Sequence, residues 1–161
     1  MVDETTDAWA PWTPAAPPDA TAHDLFRREL DRCHRGATEG THLRLAAFDR
    51  AGRMVGLFAL NEIVAGVFQS AYASWQVRTS EVGNGFGTEG ARALLEIAFS
   101  AWPDGLGLHR VQANVMPSNE ASLRIADKLG LRREGLAERY LQIAGSWQDH
   151  VMLAITREEW A

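Results

Sequence analysis

The sequence predicts a mixed α/β fold, with a central sheet and helices packed on both of its faces. From 75 to 102, a short strand, a glycine-rich turn and a helix with one apolar face follow one another. A second strand that leads into a helix begins at His109. Because successive strand–helix units pair their strands in parallel through a right-handed crossover, we expect these two strands to be neighbours.

The length of the chain indicates one domain, preceded by an arm. A chain of 161 residues suffices for one hydrophobic core. Residues 1–20 hold four of the six prolines together with Trp9 and Trp12, and proline fixes φ and removes backbone donors. We therefore expect an extended arm over 1–20 and a single domain over 21–161. Both tryptophans are expected to cover apolar core or, alternatively, to line a substrate cleft.

The domain is predicted to begin with an amphipathic helix. The segment Thr21–Asp24 has the pattern of a capping box at a helix start. Phe26, Leu30 and Cys33 share an apolar face, and Gly36 is predicted to end the helix. Cys33 is the only cysteine, so no disulfide can form within the chain, which favours a reducing cytoplasm.

Three strands are predicted to follow this helix. Apolar residues partly alternate over 42–49, and a second strand is predicted over 53–62. Since the turn between them, 49–52, ends in glycine, the two strands are expected to form a hairpin. A shorter apolar run over 63–68 precedes the strand over 71–78, which enters the glycine-rich turn.

The second half of the chain is predicted to add a strand, a helix and a hairpin. A turn at 103–105 leads into a strand over 109–115, and Ser118 is expected to cap the next helix, which Gly130 ends. The residues predicted to face inward on this helix are Ala121, Ile125 and Leu129. The hairpin is predicted from strands over 139–143 and 151–155, joined by a turn at 144–146.

The glycine-rich turn is the strongest candidate for a binding site. Gly83, Gly85 and Gly87 alternate directly before a helix whose apolar face is predicted to comprise Ala91, Leu94, Leu95, Ala98 and Trp102. Glycine lets a ligand approach the backbone closely. Free amides at a helix start, aligned with the helix dipole, bind anions. The pattern therefore predicts a phosphate-bearing cofactor.

Two cofactor classes fit the glycines alone. The segment Gly85–Gly90 satisfies GxGxxG, the dinucleotide pattern, which also requires an acidic residue about 20 positions later at the end of the next strand. Asp104 has roughly that spacing, but it lies in a Pro-Asp-Gly sequence that is typical of a turn.

A set of spaced motifs favours the other class. The motifs are Gly85–Leu95 (GFGTEGARALL), Ala113–Val115 (ANV), Asn119–Ser122 (NEAS), Lys128–Gly130 (KLG), Glu134–Gly135 (EG) and Gly145–His150 (GSWQDH). In this order they resemble the GNAT acetyltransferases, and in particular the RimJ/RimL type that acetylates N-termini of ribosomal proteins. The resemblance runs from Trp9 to Trp160 and implies the GNAT fold.

The resemblance also implies where acetyl-coenzyme A (acetyl-CoA) binds, which is between the two parallel strands where they separate. The backbone of Gln76, Val77 and Arg78 would pair with the pantetheine arm, and an N–H near Val77 would polarise the thioester carbonyl. The backbone of the loop would hold the pyrophosphate, through Gly83, Asn84, Gly85, Phe86, Gly87 and Thr88. The opposite wall would comprise Asn114, Asn119 and Ser122.

The resemblance implies fewer catalytic residues than cofactor-binding residues. Many GNAT enzymes use a tyrosine as general acid at the position that is Ala126 here, and the RimJ/RimL type uses a serine, here Ser122. For the general base we expect Glu138 first and Glu62 next, with Tyr140 lining the cleft. Structural roles are the alternative for each of these residues.

Two departures from the family pattern carry expectations of their own. The family has Gln or Arg where this chain has Val82, so we expect weaker cofactor binding through the backbone donors alone. Family members also begin with another strand and helix, for which this chain has no room. We therefore expect an exposed sheet edge, and a homodimer that pairs through it.

Composition excludes several classes. The formal net charge of −5 argues against nucleic-acid binding and against anionic membranes. The polar, acidic start is unlike a signal peptide, and no apolar run is long enough to span a bilayer. The five histidines lack metal-ligand spacing. We therefore expect a cytoplasmic protein without a metal.

The function predicted from these motifs is acetyl transfer from acetyl-CoA to a primary amine, most simply the α-amine of a protein or peptide. A small amine, such as an aminoglycoside, polyamine or amino acid, is the alternative acceptor. A non-catalytic acyl-CoA binding module is the alternative from another class, and Val82 and Ala126 favour it.

Overall fold

The computed structural model describes residues 7–160 and contains one six-stranded sheet in the order β1-β2-β3-β4-β6-β5. The strands are β1 (Leu43–Phe48), β2 (Met54–Val64), β3 (Ser70–Val77), β4 (Arg110–Val115), β5 (Arg132–Ile143) and β6 (Ser146–Thr156). The helices are α1 (Ala22–Glu39), α2 (Phe86–Phe99), α3 (Glu120–Lys128) and α4 (Arg157–Trp160), with short 3-10 helices at Ala10–Trp12 and Thr79–Glu81. The mixed α/β prediction is confirmed.

The pairing of β3 with β4 is the only parallel contact of the described sheet. It comprises Ser70 with Arg110, Ala71 with Val111, and Tyr72 with Gln112. The expectation of a parallel neighbour is therefore confirmed. Beyond Tyr72 and Gln112, β3 continues to Val77 and β4 to Val115, but the two strands no longer pair with each other. The two strands thus separate toward their C-terminal ends.

Helices cover both faces of the sheet, as predicted. On one face, α2 and α3 bury a core that includes Leu60, Leu94, Val111 and Leu153, each at most 1% exposed. Burial of these side chains is the main source of stability for the sheet and its helices. Helix α1 lies on the opposite face, because its Glu29 contacts Arg44 at 2.7 Å and Arg44 alternates with the core-facing residues of β1.

The first helix is longer and less buried than predicted. The capping box at Thr21 is confirmed, but α1 continues past Gly36 to Glu39, and Gly40, at φ 68°, ends it. Gly36 is needed inside the helix because a Cβ there would lie 2.6 Å from the Cβ of His42. Phe26 and Leu30 are 56% and 41% exposed, so the predicted apolar face is only partly covered.

The second half departs from the predictions at four points. Trp102 lies beyond α2 and is 83% exposed, whereas Ala91, Leu94, Leu95 and Ala98 are buried as predicted. Asn119, rather than Ser118, caps α3, because its side chain accepts from the N–H of Ser122. Ala121 is exposed, although Leu129 is buried. Strand β5 begins at Arg132, since ladder pairing with β6 extends seven residues beyond the predicted start.

The arm is not fully extended, since Ala10–Trp12 forms a 3-10 helix; residues 1–6 of the predicted arm lie outside the described residues. Within 7–160, no helix is both long and apolar enough to cross a membrane.

Candidate active site

The site is built around the wedge that opens where β3 leaves β4. Backbone groups of β3 beyond Tyr72 that point toward β4 lose their strand partner there. The N–H of Arg78 donates to Val55 O of β2 at 2.8 Å and so points away from the wedge. Because backbone direction alternates along a strand, the groups that face the wedge are those of Trp75 and Val77. Of the three backbone positions expected to bind pantetheine, Val77 therefore faces the wedge directly, although its carbonyl accepts a hydrogen bond from Trp9 Nε1 at 3.2 Å.

The glycine-rich loop closes one end of this wedge. Gly83 and Gly85 have φ of 91° and 88°, which favour glycine, and a Cβ at either position would meet open space. The first hydrogen bonds of α2 run from Thr88 and Glu89 to Gly85 O. The amides of Phe86 and Gly87 precede that ladder, so they are oriented as donors toward an anion.

One carboxylate lies in this loop, and two neighbours engage it. Glu81 lies 3.7 Å from the guanidinium of Arg53 and accepts a hydrogen bond from Asn84 Nδ2 at 3.1 Å. Arg53 thereby offsets the negative charge near the predicted phosphate position. The side chain of Asn84 therefore points toward Glu81, and the main-chain N–H of Asn84 donates to the main-chain carbonyl of Glu81. Val82, at the position where the family has Gln or Arg, is 63% exposed.

The opposite wall presents polar groups from β4 and α3. The Oδ1 atom of Asn114 is buried and has no hydrogen-bond partner among the described residues. Such an atom is costly unless a ligand supplies a donor. Asn119 Oδ1 accepts from the N–H of Ser122 at 3.1 Å, and Ser122 Oγ accepts from Trp75 Nε1 at 3.2 Å. Ser122 therefore lies at the wedge, linked to β3 across it.

A tyrosine cluster forms the floor beside this wall. Tyr140 contacts Asn114 Nδ2 at 3.5 Å and stacks edge-on against the buried His150, with ring centroids 5.8 Å apart. Burial raises the pKa of Tyr140 above its ordinary value, and a hydrogen bond with Tyr72 and the nearby Glu62 carboxylate add to the shift. The Tyr140 hydroxyl therefore stays protonated at neutral pH and can position an amine but not deprotonate it.

The two candidate bases lie at irregularities of the sheet. Glu62 has φ 50° in a bulge of β2, and Glu138 lies in the bulge of β5 beside Arg139, whose φ is 49°. Bulges re-aim side chains and are frequent next to active sites. Both carboxylates are exposed. Glu62 is close enough to Tyr140 to affect its pKa, which places it nearer the floor of the site.

The structure gives the glycines of the GxGxxG pattern separate tasks. A Cβ on Gly87 would lie 2.7 Å from Ile125 of α3, and one on Gly90 would lie 2.2 Å from the ring of Phe58. Asp104, the acidic residue that a dinucleotide site would need, lies exposed in the turn before β4, and the sheet is mixed. These features argue against the dinucleotide alternative. Among the described residues, no group of three potential metal ligands occurs.

Sequence reasoning missed two residues of this site. The sequence predicts Trp75 and Tyr72 only as residues of the strand over 71–78 and assigns neither a role in the site. The strand pattern could have shown that Trp75 and Val77 share one face while Tyr72 takes the other. It could not show that β3 and β4 separate between them, because separation depends on pairing with a distant strand.

Parallel strands that separate beside a glycine-rich helix start are the arrangement that the resemblance implies for an acyl-coenzyme A transferase. The family model described as acetyltransferase (GNAT) domain matches residues 1–132. The chain therefore belongs to the GNAT acetyltransferase family, whose members use acetyl-CoA as the acetyl donor.

Individual relatives agree with this assignment. The chain is 37% identical to the probable N-acetyltransferase YjcK of Bacillus subtilis over 103 residues, 64% of this chain and 55% of that protein. It is 26% identical to the ribosomal protein uS5-alanine N-acetyltransferase of Escherichia coli over 93% of this chain and 76% of that one. The structure of Mycobacterium smegmatis RimJ in complex with CoA-disulfide superposes with a TM-score of 0.87 at 29% identity, covering 96% of this chain and 73% of that chain. The chain thus spans only about half the length of YjcK.

The residues present fit acetyl-CoA. The loop offers amides and open space at Gly83 and Gly85 for a pyrophosphate, and the wedge offers strand groups without a β4 partner at Val77. The unpartnered Asn114 Oδ1 on the other wall can accept from an amide N–H. These are the donors and acceptors that a phosphate-bearing, amide-containing chain requires.

Proposed function

We propose that this chain is an active acetyltransferase that modifies the α-amine of a protein or peptide N-terminus. Acetyl-CoA, when bound, supplies the activated acetyl group. The observation that carries the choice of acceptor is that neither candidate base is buried, since Glu62 and Glu138 are both exposed, while the less exposed Glu81 of the loop is engaged by Arg53. The similarity to a uS5-alanine N-acetyltransferase along 93% of the chain supports it.

The argument rests on the amine's own acidity. Only the neutral amine is nucleophilic, and an α-amine has a pKa of about 8, against about 10.4 for a lysine side chain. At pH 7 roughly a tenth of α-amines are already neutral, so water or an exposed carboxylate suffices to remove the proton. A lysine side chain would need a stronger base or a more desolvated site.

In the proposed mechanism, each wall has its own task. The amides of the glycine loop bind the phosphates, and the N–H of Val77 orients and polarises the thioester carbonyl. The hydroxyl groups of Tyr72 and Tyr140 hold the amine on the floor, since Tyr140 remains protonated. Ser122 gives a proton to the leaving sulfur, and Glu62 or Glu138 receives the proton of the amine, directly or through water.

The test is an acceptor competition followed by mass spectrometry. Equal amounts of a peptide with a free N-terminal alanine and an internal lysine, its N-terminally blocked counterpart, and spermidine are offered with acetyl-CoA. We expect acetylation of the free peptide at its α-amine alone. Preferred modification of spermidine would establish the small-amine alternative. Tight cofactor binding without any product would favour the non-catalytic binding module.

The sheet edge supports a second part of the proposal, a homodimer. Strand β1 has one neighbour, β2, in the described sheet, so its outer backbone groups have no strand partner there. Light scattering after size-exclusion chromatography, over a hundredfold range of concentration, tests this. A constant monomer mass would reject the dimer without affecting the proposed chemistry.

A further inference from the structure

The indole of Trp75 connects the two walls of the site. Trp75 lies on β3 beyond the last residue paired with β4, and its Nε1 donates to Ser122 Oγ of α3 at 3.2 Å. The two residues are 47 positions apart in the chain. Both side chains are half-buried, and Trp75 packs against the core, so the contact lies where the wedge meets the core. A tryptophan N–H can only donate, so Ser122 must be the acceptor.

This contact determines what Ser122 can do with its own proton. A hydroxyl has one donor and two acceptor positions. A serine inside a helix usually donates to the carbonyl four residues earlier. Ser122 lies in the first turn of α3, where the residue four positions earlier, Ser118, precedes the cap Asn119 and is outside the helix. With the main-chain N–H of Ser122 held by Asn119 Oδ1, the hydroxyl oxygen is fixed and its proton is left for another acceptor.

The same contact makes Ser122 a better proton donor. A hydrogen bond accepted by an oxygen polarises its O–H, so chains of hydrogen bonds strengthen one another. Ser122 also lies at the positive N-terminal end of the α3 dipole, which favours negative charge developing on its oxygen. Trp75 and the helix therefore act on Ser122 in the same direction.

We propose that Trp75 is a positioning residue that holds Ser122 as the proton donor to the leaving thiolate. This inference rests on the proposed function. As the new N–C bond forms and the C–S bond breaks, the sulfur keeps the bonding electron pair and takes the proton of Ser122. The amine releases its proton to Glu62 or Glu138, directly or through water, and that proton then returns through water to Ser122, so that the products are an amide and a free thiol.

The first test observes the hydrogen bond itself and requires no turnover. Trp75→Phe identifies the Trp75 indole N–H resonance in a proton–nitrogen spectrum of the ¹⁵N-labelled protein. We expect this resonance to shift and to lose protection from solvent exchange in Ser122→Ala. The matched control is Ser118→Ala, four residues earlier in the chain and exposed, which should leave the resonance unchanged. An unchanged resonance in Ser122→Ala would overturn the proposal.

The second test is a double-mutant cycle on acetyl transfer. Trp75→Phe keeps the ring and removes only the donor, so we expect kcat to fall about tenfold, with KM for acetyl-CoA within about twofold. Ser122→Ala is expected to lower kcat about a hundredfold. Since Trp75 acts only through Ser122, the double variant should be no slower than Ser122→Ala. Effects that multiply would show that Trp75 has a merely structural role and would overturn the proposal.

Two further outcomes are distinguished by calorimetry with CoA. If Trp75→Phe changes the dissociation constant of CoA by more than about fivefold while kcat is unchanged, then Trp75 is a wall of the cofactor site and the proposal fails. If the wild-type protein binds CoA and shows the Ser122-dependent indole resonance but acetylates no amine, the proposed function fails while the contact stands. Unfolding curves of each variant confirm that folding is retained.

Discussion

Trp9 donates its indole N–H to the main-chain carbonyl of Val77, 3.2 Å away, at the end of β3 where the wedge is widest. The same arm also contacts the strands on the other side of the wedge, because the main-chain carbonyl of Thr13 accepts from the N–H of Ala144 in the β5–β6 turn at 3.0 Å. The arm therefore crosses the mouth of the site. The two tryptophans of the arm differ in burial, since Trp9 is half-buried and Trp12 is 37% exposed.

This relationship predicts a competition between Trp9 and the cofactor. The Val77 carbonyl faces the wedge and is the acceptor expected to receive an amide N–H of the pantetheine arm. Trp9→Phe frees that carbonyl at the cost of one neutral hydrogen bond, so we expect CoA to bind about three- to tenfold more tightly by calorimetry. Trp12→Phe is the control and should leave the dissociation constant unchanged. Weaker binding in Trp9→Phe would instead identify the indole as part of the cofactor wall.

A negative charge placed in the glycine loop should weaken binding of the phosphates. A side chain at Gly85 enters open space, so Gly85→Glu brings a carboxylate to the loop without a clash. Gly85→Gln is its matched control, since it has the same size and bears the same strain at φ 88°, of roughly 1–2 kcal/mol. We expect Gly85→Glu to bind CoA at least about tenfold more weakly than Gly85→Gln, by calorimetry at low salt.

Salt separates the electrostatic effect from the steric one. The gap between the two Gly85 variants should narrow as ionic strength rises from about 0.01 M to 0.5 M, because screening acts on the charge alone. Equal weakening in both variants, independent of salt, would mean that the phosphates lie elsewhere.

Local pattern was sufficient to predict the elements that position the site. The alternating glycines predicted the α2 start, and the apolar spacing predicted the burial of Leu94 and Leu95, because both depend on residues close in sequence. Thr21 and Asp24 likewise predicted their own capping box. The parallel neighbours β3 and β4 followed from the strand–helix order and the handedness of the crossover.

Features set by distant contacts could not be predicted in this way. Glycine is typical of a helix end, which is why Gly36 was predicted to end α1. Instead, a glycine is required inside α1 because His42 approaches it closely. Trp102 continues the apolar spacing of α2, but the helix ends at Phe99 and leaves it exposed. The contact of Trp75 with Ser122 joins residues whose proximity depends on the divergence of β3 from β4. The glycine pattern itself did not separate loop glycines from those that permit packing.

That separation is itself testable at Gly90. A Cβ there would lie 2.2–2.5 Å from three atoms of the Phe58 ring, which is 3% exposed and cannot move outward. Overpacking of this kind costs about 1–3 kcal/mol. The helix propensity of alanine returns up to about 1 kcal/mol. We therefore expect Gly90→Ala to lower the free energy of unfolding, measured by urea titration, by about 1 kcal/mol or more.

The control for this effect is Gly135→Ala on β5, where a Cβ meets nothing within 4 Å. It should change the free energy of unfolding by less than about 0.5 kcal/mol. Phe58→Leu replaces the ring with a smaller side chain. In the Gly90→Ala background it should therefore cost less free energy of unfolding than the sum of the two single variants predicts. Additive losses in that pair would contradict the packing explanation.

The last prediction concerns acid stability through Glu134. Its carboxylate is held by Arg110 and Arg132, with Arg110 Nη1 at 2.9 Å and Arg132 Nη2 at 2.8 Å from Oε1. The hydrogen bond and charge of Arg110 lower the pKa of Glu134 below its ordinary value of 4.5, and Arg132 adds to the shift. The contacts span β6, since Arg110 lies on β4 and Glu134 on β5.

The sign of the pH dependence follows from that lowered pKa. A carboxylate with a lower pKa in the folded state contributes stability above its unfolded pKa and loses it as the pH falls through the folded pKa. Glu134→Gln should therefore be less stable than wild type at pH 7, by up to about 1 kcal/mol for a partly exposed ion pair. Below pH 4.5 the difference in urea midpoint should shrink toward zero. A stability difference for Glu134→Gln that persists at pH 3 would mean that packing rather than charge stabilises this contact.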